Sequence, residues 1–462
     1  MEVVGTSADF VAAAAAGWVL TAAVLEAAAA AGALGACLWL HAPERRPPGV
    51  RWQALLDKAA RSGSRALCEW CLAHGASWCE EAVWGAARGG HVDLMAWLLD
   101  CQPPGSGPVS WPDVLEAAAE GCDLAAFQQL WAQGGPKEGQ LSRDARAFIL
   151  HSAVGSRTPD WQAKAEFALG QGCSPLWSAY HCAARHVTSG DAAVARFEWL
   201  KARGCRLDDP QAPEQALADA LGWALEARST PAVLWLLHEG PRPAADAGAA
   251  TLLAARTGNV EALQALTGAG YALPNPEAAA EDAAEAGQQP VLAWLLTEFG
   301  ERGLGGLGPE LFSSAAASGS CELMAWLRSS GCAWDEGAWE QAADSGCEAA
   351  LEWLASAGCP MSLDGRPYLC AAHNGDLRCL AALHRLGLPF GAGGKPRPGV
   401  FTRAVAGQHG RSTPLPALQA LPLLGCPVDW AGARTAAQRR AGTDRGEVLA
   451  WVEGEARRNG VD

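Results

Sequence analysis

The stretch AARGGHVDLMAWLL, residues Ala86 to Leu99, is the unit from which most of this 462-residue chain is built. Two alanines open it, an arginine and a pair of glycines follow, and a cluster of large apolar residues closes it. Internal similarity of this kind predicts a solenoid, because each short unit can bury its apolar face only by stacking on its neighbours. Clear copies are Ala59–Leu72 (AARSGSRALCEWCL), Ala315–Arg328 (AAASGSCELMAWLR), Ala342–Ala355 (AADSGCEAALEWLA) and Ala371–His384 (AAHNGDLRCLAALH).

The spacing of the copies can be followed at the residue seven positions after the repeat glycine, which is usually tryptophan. Fourteen such positions lie between Trp39 and Trp451, so the mean period is just under 32 residues. Insertions in a solenoid form loops, often on its binding face. The long intervals are Gln128 to Phe167 (39 residues), Trp199 to Trp235 (36) and Ala382 to Ala420 (38). In five copies the glycine is lost or displaced, and the marker positions of these copies are Phe167, Trp199, Trp235, Ala420 and Trp451.

Each unit is predicted to contain two helices. Glu80–Arg88 carries acidic residues in its first turn, as a helix N-terminus prefers, and Val92–Leu99 has apolar residues at helical spacing. A glycine follows the second helix in most copies, where it supplies the left-handed residue that ends a helix. These glycines are Gly75, Gly172, Gly204, Gly240, Gly270, Gly331, Gly358, Gly387 and Gly425. A cysteine follows five of them, and we expect it to be a buried, reduced thiol at the seam between repeats.

The pattern resembles the ankyrin repeat, whose motif runs T-P-L-H-x-A-A-x-x-G-H before a hydrophobic helix and a G-A pair. Ser178–Ala184 (SAYHCAA) stands in for the first part, Arg366–Gly375 (RPYLCAAHNG) keeps the proline, and Gly90–His91 keeps the G-H pair. A Trp-Leu pair occupies the second helix, where the family usually has two leucines. The resemblance implies an all-α solenoid of about 14 ankyrin-like helix-loop-helix repeats, joined by short loops or β-turns. We place this solenoid at residues 21–456, after an N-terminal extension or cap (1–20) and before a C-terminal tail (457–462).

The apolar segment Val11–Leu40 has two interpretations. It lacks a basic flank and contains Glu26, and Glu26–Leu40 (EAAAAAGALGACLWL) is itself a copy of the repeat, so we expect a first solenoid unit. A targeting or membrane segment is the alternative, since composition alone does not exclude one.

The charge of the chain disfavours nucleic acid. The formal net charge is −15 with a pI near 5.2, and no long run of basic residues offsets it. We therefore expect no nucleic-acid partner and no membrane partner. The sixteen cysteines and the absence of an N-x-S/T sequence indicate a reducing compartment, and we expect the cytoplasm.

Three local motifs match known ligand-binding motifs in part, but the residues around them do not fit those binding sites. Residues 303–308 (GLGGLG) match a dinucleotide-binding fingerprint, but a helix and not a strand precedes them, which predicts a loop. Gly393–Lys395 lacks the first glycine and the serine or threonine of a phosphate loop. Cys68, Cys71 and His74 could hold zinc, yet both cysteines align with core positions of the next repeat. We therefore expect no metal, no cofactor and no catalytic activity.

Tryptophans and carboxylates in the first helices and loops are the candidate site residues. Tryptophan is enriched at binding hot spots, and we assign Trp84 and Trp111 as candidate anchors, with stacking between neighbouring loops as the alternative. Acidic residues at the same loops predict a negative groove for a basic partner segment, with helix capping as the alternative. They are Glu80, Glu81, Asp335 and Glu336, together with Asp208 and Asp209.

The sequence thus predicts a monomeric scaffold or adaptor that binds a protein partner along the concave face of the solenoid. One alternative is an adaptor targeted to a membrane through the apolar N-terminus. The other is a metal-binding protein that uses Cys68, Cys71 and His74.

Overall fold

The computed structural model describes residues 22–42, 50–134, 141–185, 190–207, 214–241, 248–391, 399–407, 411–441 and 444–461. The predicted N-terminal extension, Asp208, Asp209 and Gly393–Lys395 lie outside these ranges. Nothing in the structure tests the predicted ends of the solenoid.

Within the described residues the chain forms 28 α-helices and no β-strand. They are α1 Ala22–Ala30, α2 Leu34–Leu40, α3 Trp52–Arg61, α4 Arg65–Ala73, α5 Glu80–Arg88, α6 Val92–Asp100, α7 Trp111–Gly121, α8 Leu124–Gly134, α9 Arg143–Val154, α10 Trp161–Gly170, α11 Ala179–Arg185, α12 Gly190–Ala202, α13 Glu214–Glu226, α14 Thr230–Glu239, α15 Gly248–Thr257, α16 Val260–Gly268, α17 Pro276–Glu285, α18 Gln289–Gly303, α19 Pro309–Ala317, α20 Cys321–Ser329, α21 Gly337–Asp344, α22 Glu348–Ala357, α23 Arg366–His373, α24 Leu377–Arg385, α25 Val400–Ala406, α26 Leu415–Leu423, α27 Trp430–Arg439 and α28 Arg445–Arg458.

The helices follow one another as first and second members of 14 pairs, which confirms the predicted all-helical repeat solenoid at that level of detail. Two compact units can be distinguished, an N-terminal unit (Leu20–Ala254 and Glu261–Ala272) and a C-terminal unit (Ala255–Val260 and Leu273–Asp462). In each unit, neighbouring first helices pack more closely than neighbouring second helices. Buried alanines, such as Ala86 and Ala87 on α5, permit this close approach.

The apolar segment at the N-terminus enters the fold as a repeat. Its described part forms the short helices α1 and α2, which pack on each other, and α1 packs on α3. Glu26 accepts hydrogen bonds from Lys58 (2.7 Å) and Arg51 (2.9 Å), and these bonds lower the pKa of its carboxyl group. Among the described helices, none combines the length and apolarity that a membrane crossing requires.

Glycines with positive φ end the second helices, largely as predicted. Gly331, Gly358 and Gly425 have φ of 85°, 78° and 83°. In each case the next residue is a buried cysteine whose N–H donates to the carbonyl five residues earlier, the hydrogen bond typical of this helix end. Gly240 is the exception, since its φ is −78°. All sixteen cysteines are free thiols, as expected for a reducing compartment.

The contribution of glycine to stability at this helix end can be measured at Gly358. A Cβ at this position would meet no atom within 4 Å, so Gly358→Ala tests the backbone alone. We expect the substitution to lower the free energy of unfolding by about 1 kcal/mol, because an L-residue disfavours positive φ. Gly222→Ala is the matched control: Gly222 lies inside α13 with equally open space, and alanine there should stabilise by about 0.5–1 kcal/mol. Urea unfolding followed by circular dichroism measures both, and equal effects would contradict the assignment.

Buried cations cap first helices where a repeat has lost its turn glycine. Lys164 on α10 donates to the carbonyls of Ala119 and Cys122, which end α7, each at 2.7 Å. Arg196 on α12 donates to the carbonyl of Val154 (2.8 Å), which ends α9, and Arg440 donates to that of Val405 (2.8 Å) near the end of α25. In regular repeats a residue at the turn donates the capping hydrogen bond instead. The side-chain amide of Asn374, for example, donates to the carbonyl of Asp344 (2.7 Å). The degenerate repeats therefore keep their stacking through a charged side chain.

Candidate functional site

A groove of about 1160 Å³ runs across four consecutive first helices of the C-terminal unit, α21, α23, α25 and α27. It lies where α23 and α25 pack less closely than the first helices on either side of them. The long interval between Ala382 and Ala420 spans this place, so the insertion predicted from sequence coincides with a cavity. The residues that line the groove are Glu340, Gln341, Asp344, Arg366, Leu369, Cys370, His373, Thr402, Arg403, Ala406, Arg411, Asp429, Gly432, Thr435, Ala436 and Arg439.

Four arginines line this groove, and we call it the arginine groove. Arg366 begins α23, Arg403 lies on α25, Arg411 lies between α25 and α26, and Arg439 ends α27. Their side chains come from three successive helical pairs, so stacking of the repeats brings them to one face. Guanidinium groups present several N–H donors in a planar fork, which suits phosphate and carboxylate oxygens.

Carboxylates hold two of the four arginines in place. Arg366 pairs with Asp364 (2.8 Å) and more loosely with Glu340 (3.5 Å), and Arg411 pairs with Asp344 (2.8 Å). Pairs with side chains this exposed contribute little to stability. Their effect is on orientation, and the arginines keep donors for a ligand.

A buried arginine adjoins the groove next to Arg439. Arg440, whose side chain is almost fully buried, donates to the carbonyls of Val405 (2.8 Å) and Thr413 (2.7 Å) and pairs with Asp444 (2.6 Å). The hydrogen bonds from Arg440 hold the pKa of Asp444 below its usual value. His373 lies among the arginines, and its burial lowers its pKa, so it is neutral at pH 7 and adds no positive charge.

A second cavity of about 510 Å³ adjoins the arginine groove and has the opposite charge. Glu281 and Glu285 on α17, Glu310 on α19 and Asp335 line it, and we call these four residues the acidic stretch. Gln341 on α21 lines both cavities, so the two are neighbours along the first-helix face.

The predicted acidic residues Asp335 and Glu336 lie at the start of α21. The Asp335 carboxylate accepts the N–H of Gly337 (2.8 Å), and Glu336 is the exposed N-cap residue. Helix capping, the alternative considered for the acidic residues, therefore describes the local role of Asp335. Asp335 also belongs to the acidic stretch, and its predicted role in partner binding stays a prediction.

The other predicted site residues lie in the N-terminal unit. Glu80 accepts the backbone N–H of Ser110 (3.1 Å), and Glu81 is exposed. Trp84 is half-buried on α5, and its indole N–H has no hydrogen-bond partner within the described structure. Trp111 packs its ring directly against the α-carbon of Gly134, as the loop-stacking alternative expects. None of the four lines the arginine groove.

Of the suspected metal ligands, the two cysteines belong to the core and His74 is exposed. Cys68 and Cys71 are fully buried, and burial raises the pKa of both thiols to about 12. The imidazole of His74 forms a hydrogen bond to the carbonyl of Trp70 through Nδ1 (2.8 Å). No group of three histidine, cysteine or acidic side chains in the described ranges is placed to hold a metal ion. The metal-binding alternative is therefore wrong for this cluster.

Comparison with known proteins gives only distant matches. No protein-family model and no curated protein sequence matches the chain. Among solved structures, the pentatricopeptide repeat protein PPR10 from maize covers 97% of this chain and 72% of its own, at 15% identity and a TM-score of 0.25. The same protein in complex with an 18-nt psaJ RNA element covers 96% and 76%, at 14% identity and a TM-score of 0.29.

These findings correct three predictions. The identification as an ankyrin-repeat protein is wrong, since no family model matches and the similar solved structures are pentatricopeptide repeat proteins. The prediction of a protein-interaction scaffold is wrong for the same reason. The membrane-targeted adaptor has no support from the described helices, none of which is long and apolar enough to cross a membrane. The exclusion of nucleic acid is also wrong, since a similar structure is itself a complex with RNA. At such low identity and TM-score, the likeness extends only to a succession of helical pairs.

The arginine groove has a signal in the sequence that a search for basic runs does not detect. Arg366, Arg403 and Arg439 are 37 and 36 residues apart, which is four to five residues more than the mean repeat period. Their common sequence feature is that each lies on the first helix of its pair, in three successive pairs. Net charge conceals the groove because the acidic residues are distributed over the whole chain.

Proposed function

We propose that this protein binds single-stranded nucleic acid, with RNA as the first candidate, and holds the phosphates of the strand in the arginine groove. The observation that carries the proposal is the convergence of four arginines from three successive helical pairs on one cavity. An extended polyanion is the ligand whose charges repeat along such a surface, because phosphate contacts supply most of the affinity of nucleic-acid binding proteins.

The overall charge of −15 is compatible with a local site of this kind. Interactions beyond about 8 Å are strongly screened at physiological ionic strength, so a phosphate in the groove is affected chiefly by the side chains beside it. We favour a single strand over a duplex because a flexible strand can follow a groove between helices.

The test is the salt dependence of binding. A fluorescent 12-nucleotide RNA is titrated with the full chain, and fluorescence anisotropy gives the affinity at several salt concentrations. If four arginines each displace one counterion, the logarithm of the affinity should fall with the logarithm of the salt concentration at a slope of about −3. A duplex of the same length should bind at least ~10-fold more weakly. Absence of binding at low salt would refute the proposal.

We further propose that the protein acts by binding alone, without catalysis, in a reducing compartment such as the cytoplasm. Support for the compartment comes from the sixteen cysteines, none of which forms a disulfide in the described structure and ten of which are buried. Incubation of end-labelled RNA with the protein tests the first point, since cleavage or modification of the strand would contradict it.

A further inference from the structure

We infer that the acidic stretch is an electrostatic boundary that confines a bound strand to the arginine groove. The protein would then take a short segment of single-stranded RNA and exclude its continuation across α17 and α19. This inference rests on the proposed function and adds to it the length and the position of the segment bound.

The two cavities lie side by side on the first-helix face. Gln341 lines both, and helices of one kind, the first helices, form the face on either side of it. A strand that follows this face from α27 towards α17 passes from the arginines to the acidic stretch at α21. What changes along the path is the sign of the charge.

The carboxylates on the two sides of Gln341 differ in their partners. In the arginine groove, Glu340 and Asp344 each pair with an arginine, and Asp429 accepts the N–H of Gly432 in the first turn of α27 (3.0 Å). In the acidic stretch, Glu281, Glu285 and Glu310 form no ion pair with any residue that the structure describes. Glu285 and Glu310 are exposed and Glu281 is half-buried. These glutamates therefore present uncompensated negative charge, which repels phosphate at close range.

The size of the groove sets the length of the segment. Packed helices lie about 10 Å apart, so the four first helices of the arginine groove span about 30 Å. At about 3.4 Å per phosphate along a stacked strand, this length accommodates roughly nine nucleotides or fewer. An 8-mer should therefore fill the groove, and a 24-mer should have a portion that stays unbound.

The experiment compares an 8-mer and a 24-mer single-stranded RNA that carry photoreactive uridines. The full-length wild-type chain, E281Q/E285Q/E310Q and the control E298Q/E301Q/E322Q are each titrated and then crosslinked. The control removes three exposed glutamates from the second helices α18 and α20 and matches the change in net charge. Asp335 is kept in all variants because it caps α21.

For the wild type, we expect crosslinks of the 24-mer on α23–α27 and none on α17 or α19. In E281Q/E285Q/E310Q the crosslinks should extend to α17 and α19, and the 24-mer should bind about 5- to 10-fold more tightly, while the affinity of the 8-mer changes less than about 2-fold. The control variant should behave as the wild type.

Different results would overturn different parts. Wild-type crosslinks on α17 or α19, or an equal gain for both RNA lengths, would overturn the boundary and leave RNA binding intact. An equal gain in the control variant would show that net charge alone is responsible and would also overturn it. No binding of either RNA to any variant would refute the proposed function and this inference together.

Discussion

Replacing Arg366, Arg403 and Arg439 together by glutamine should weaken the binding of a single-stranded RNA 12-mer about 100-fold. Each guanidinium would lose a charge-assisted hydrogen bond to phosphate, and contacts of this kind contribute about 1.5–3 kcal/mol before screening by salt. The slope of affinity against salt concentration should also become shallower by about 2, since each lost phosphate contact removes about 0.7. Fluorescence anisotropy over a series of salt concentrations measures both quantities.

The control for this variant is R445Q/R457Q/R458Q. These three arginines are exposed on α28, the second helix of the last pair, and none lines the groove. The control removes the same number of positive charges, so it separates loss of the site from a change in net charge. We expect less than a 3-fold effect. A similar loss of affinity in both variants would show that the arginine groove is not the binding site.

The helices could be predicted from local pattern because local chemistry sets them. The predicted first helix Glu80–Arg88 is observed with those bounds, and the predicted second helix Val92–Leu99 is one residue longer. The terminal glycines could be predicted for the same reason, since positive φ is a property of one residue and its neighbours. Gly240 differs in having an extended conformation, in which its N–H donates to the carbonyl of Leu236 (2.8 Å).

The residues of the site could not be predicted in the same way, because they meet only through stacking. Arg411 and Asp344 are 67 residues apart in sequence and form an ion pair at 2.8 Å. The aromatic pattern was also ambiguous. Trp339, in a first helix, is fully buried and donates to the carbonyl of Pro360 (3.0 Å), whereas Trp84, also in a first helix, is half-buried. The family assignment failed because short motifs of small residues, glycine and histidine describe a helical pair without specifying a family.

The degenerate repeats show how a solenoid keeps its continuity when the motif is lost. Gly155 ends α9 with a φ of −76°, unlike the turn glycines of regular repeats, which have positive φ. The carbonyls at the end of the preceding first helix would then be buried without donors, at a free-energy cost of about 1–3 kcal/mol each. Lys164 supplies three donors in this place, to the carbonyls of Ala119 and Cys122 and to the hydroxyl of Ser156, all at 2.7 Å.

Lys164→Met should therefore lower the free energy of unfolding by about 3–5 kcal/mol. Methionine fills a similar volume, so the loss reflects the two carbonyls, of Ala119 and Cys122, that lose this donor rather than a cavity. The Ser156 hydroxyl still accepts the N–H of Thr158 (3.2 Å). The effect should be local, because a solenoid is stabilised by contacts between neighbouring repeats. Urea unfolding gives the magnitude, and hydrogen exchange should show faster exchange in α7, α9 and α10 than in α3. Lys201→Met is the control: Lys201 forms a partly exposed pair with Glu239 (2.7 Å), and its loss should cost less than about 1 kcal/mol.

The same variant should change how stability depends on pH. Burial lowers the pKa of Lys164 from 10.5 to about 8 in the folded chain. Between these two values the unfolded chain binds more protons than the folded chain, so this lysine makes the free energy of unfolding rise with pH. The difference in stability between wild type and Lys164→Met should therefore widen from pH 8 to pH 10. The thiol of Cys122, which interacts with Lys164, has a pKa of about 11, above this range. A constant difference for Lys164→Met would mean that the ammonium group is retained in the folded chain across this range, held by its three acceptors.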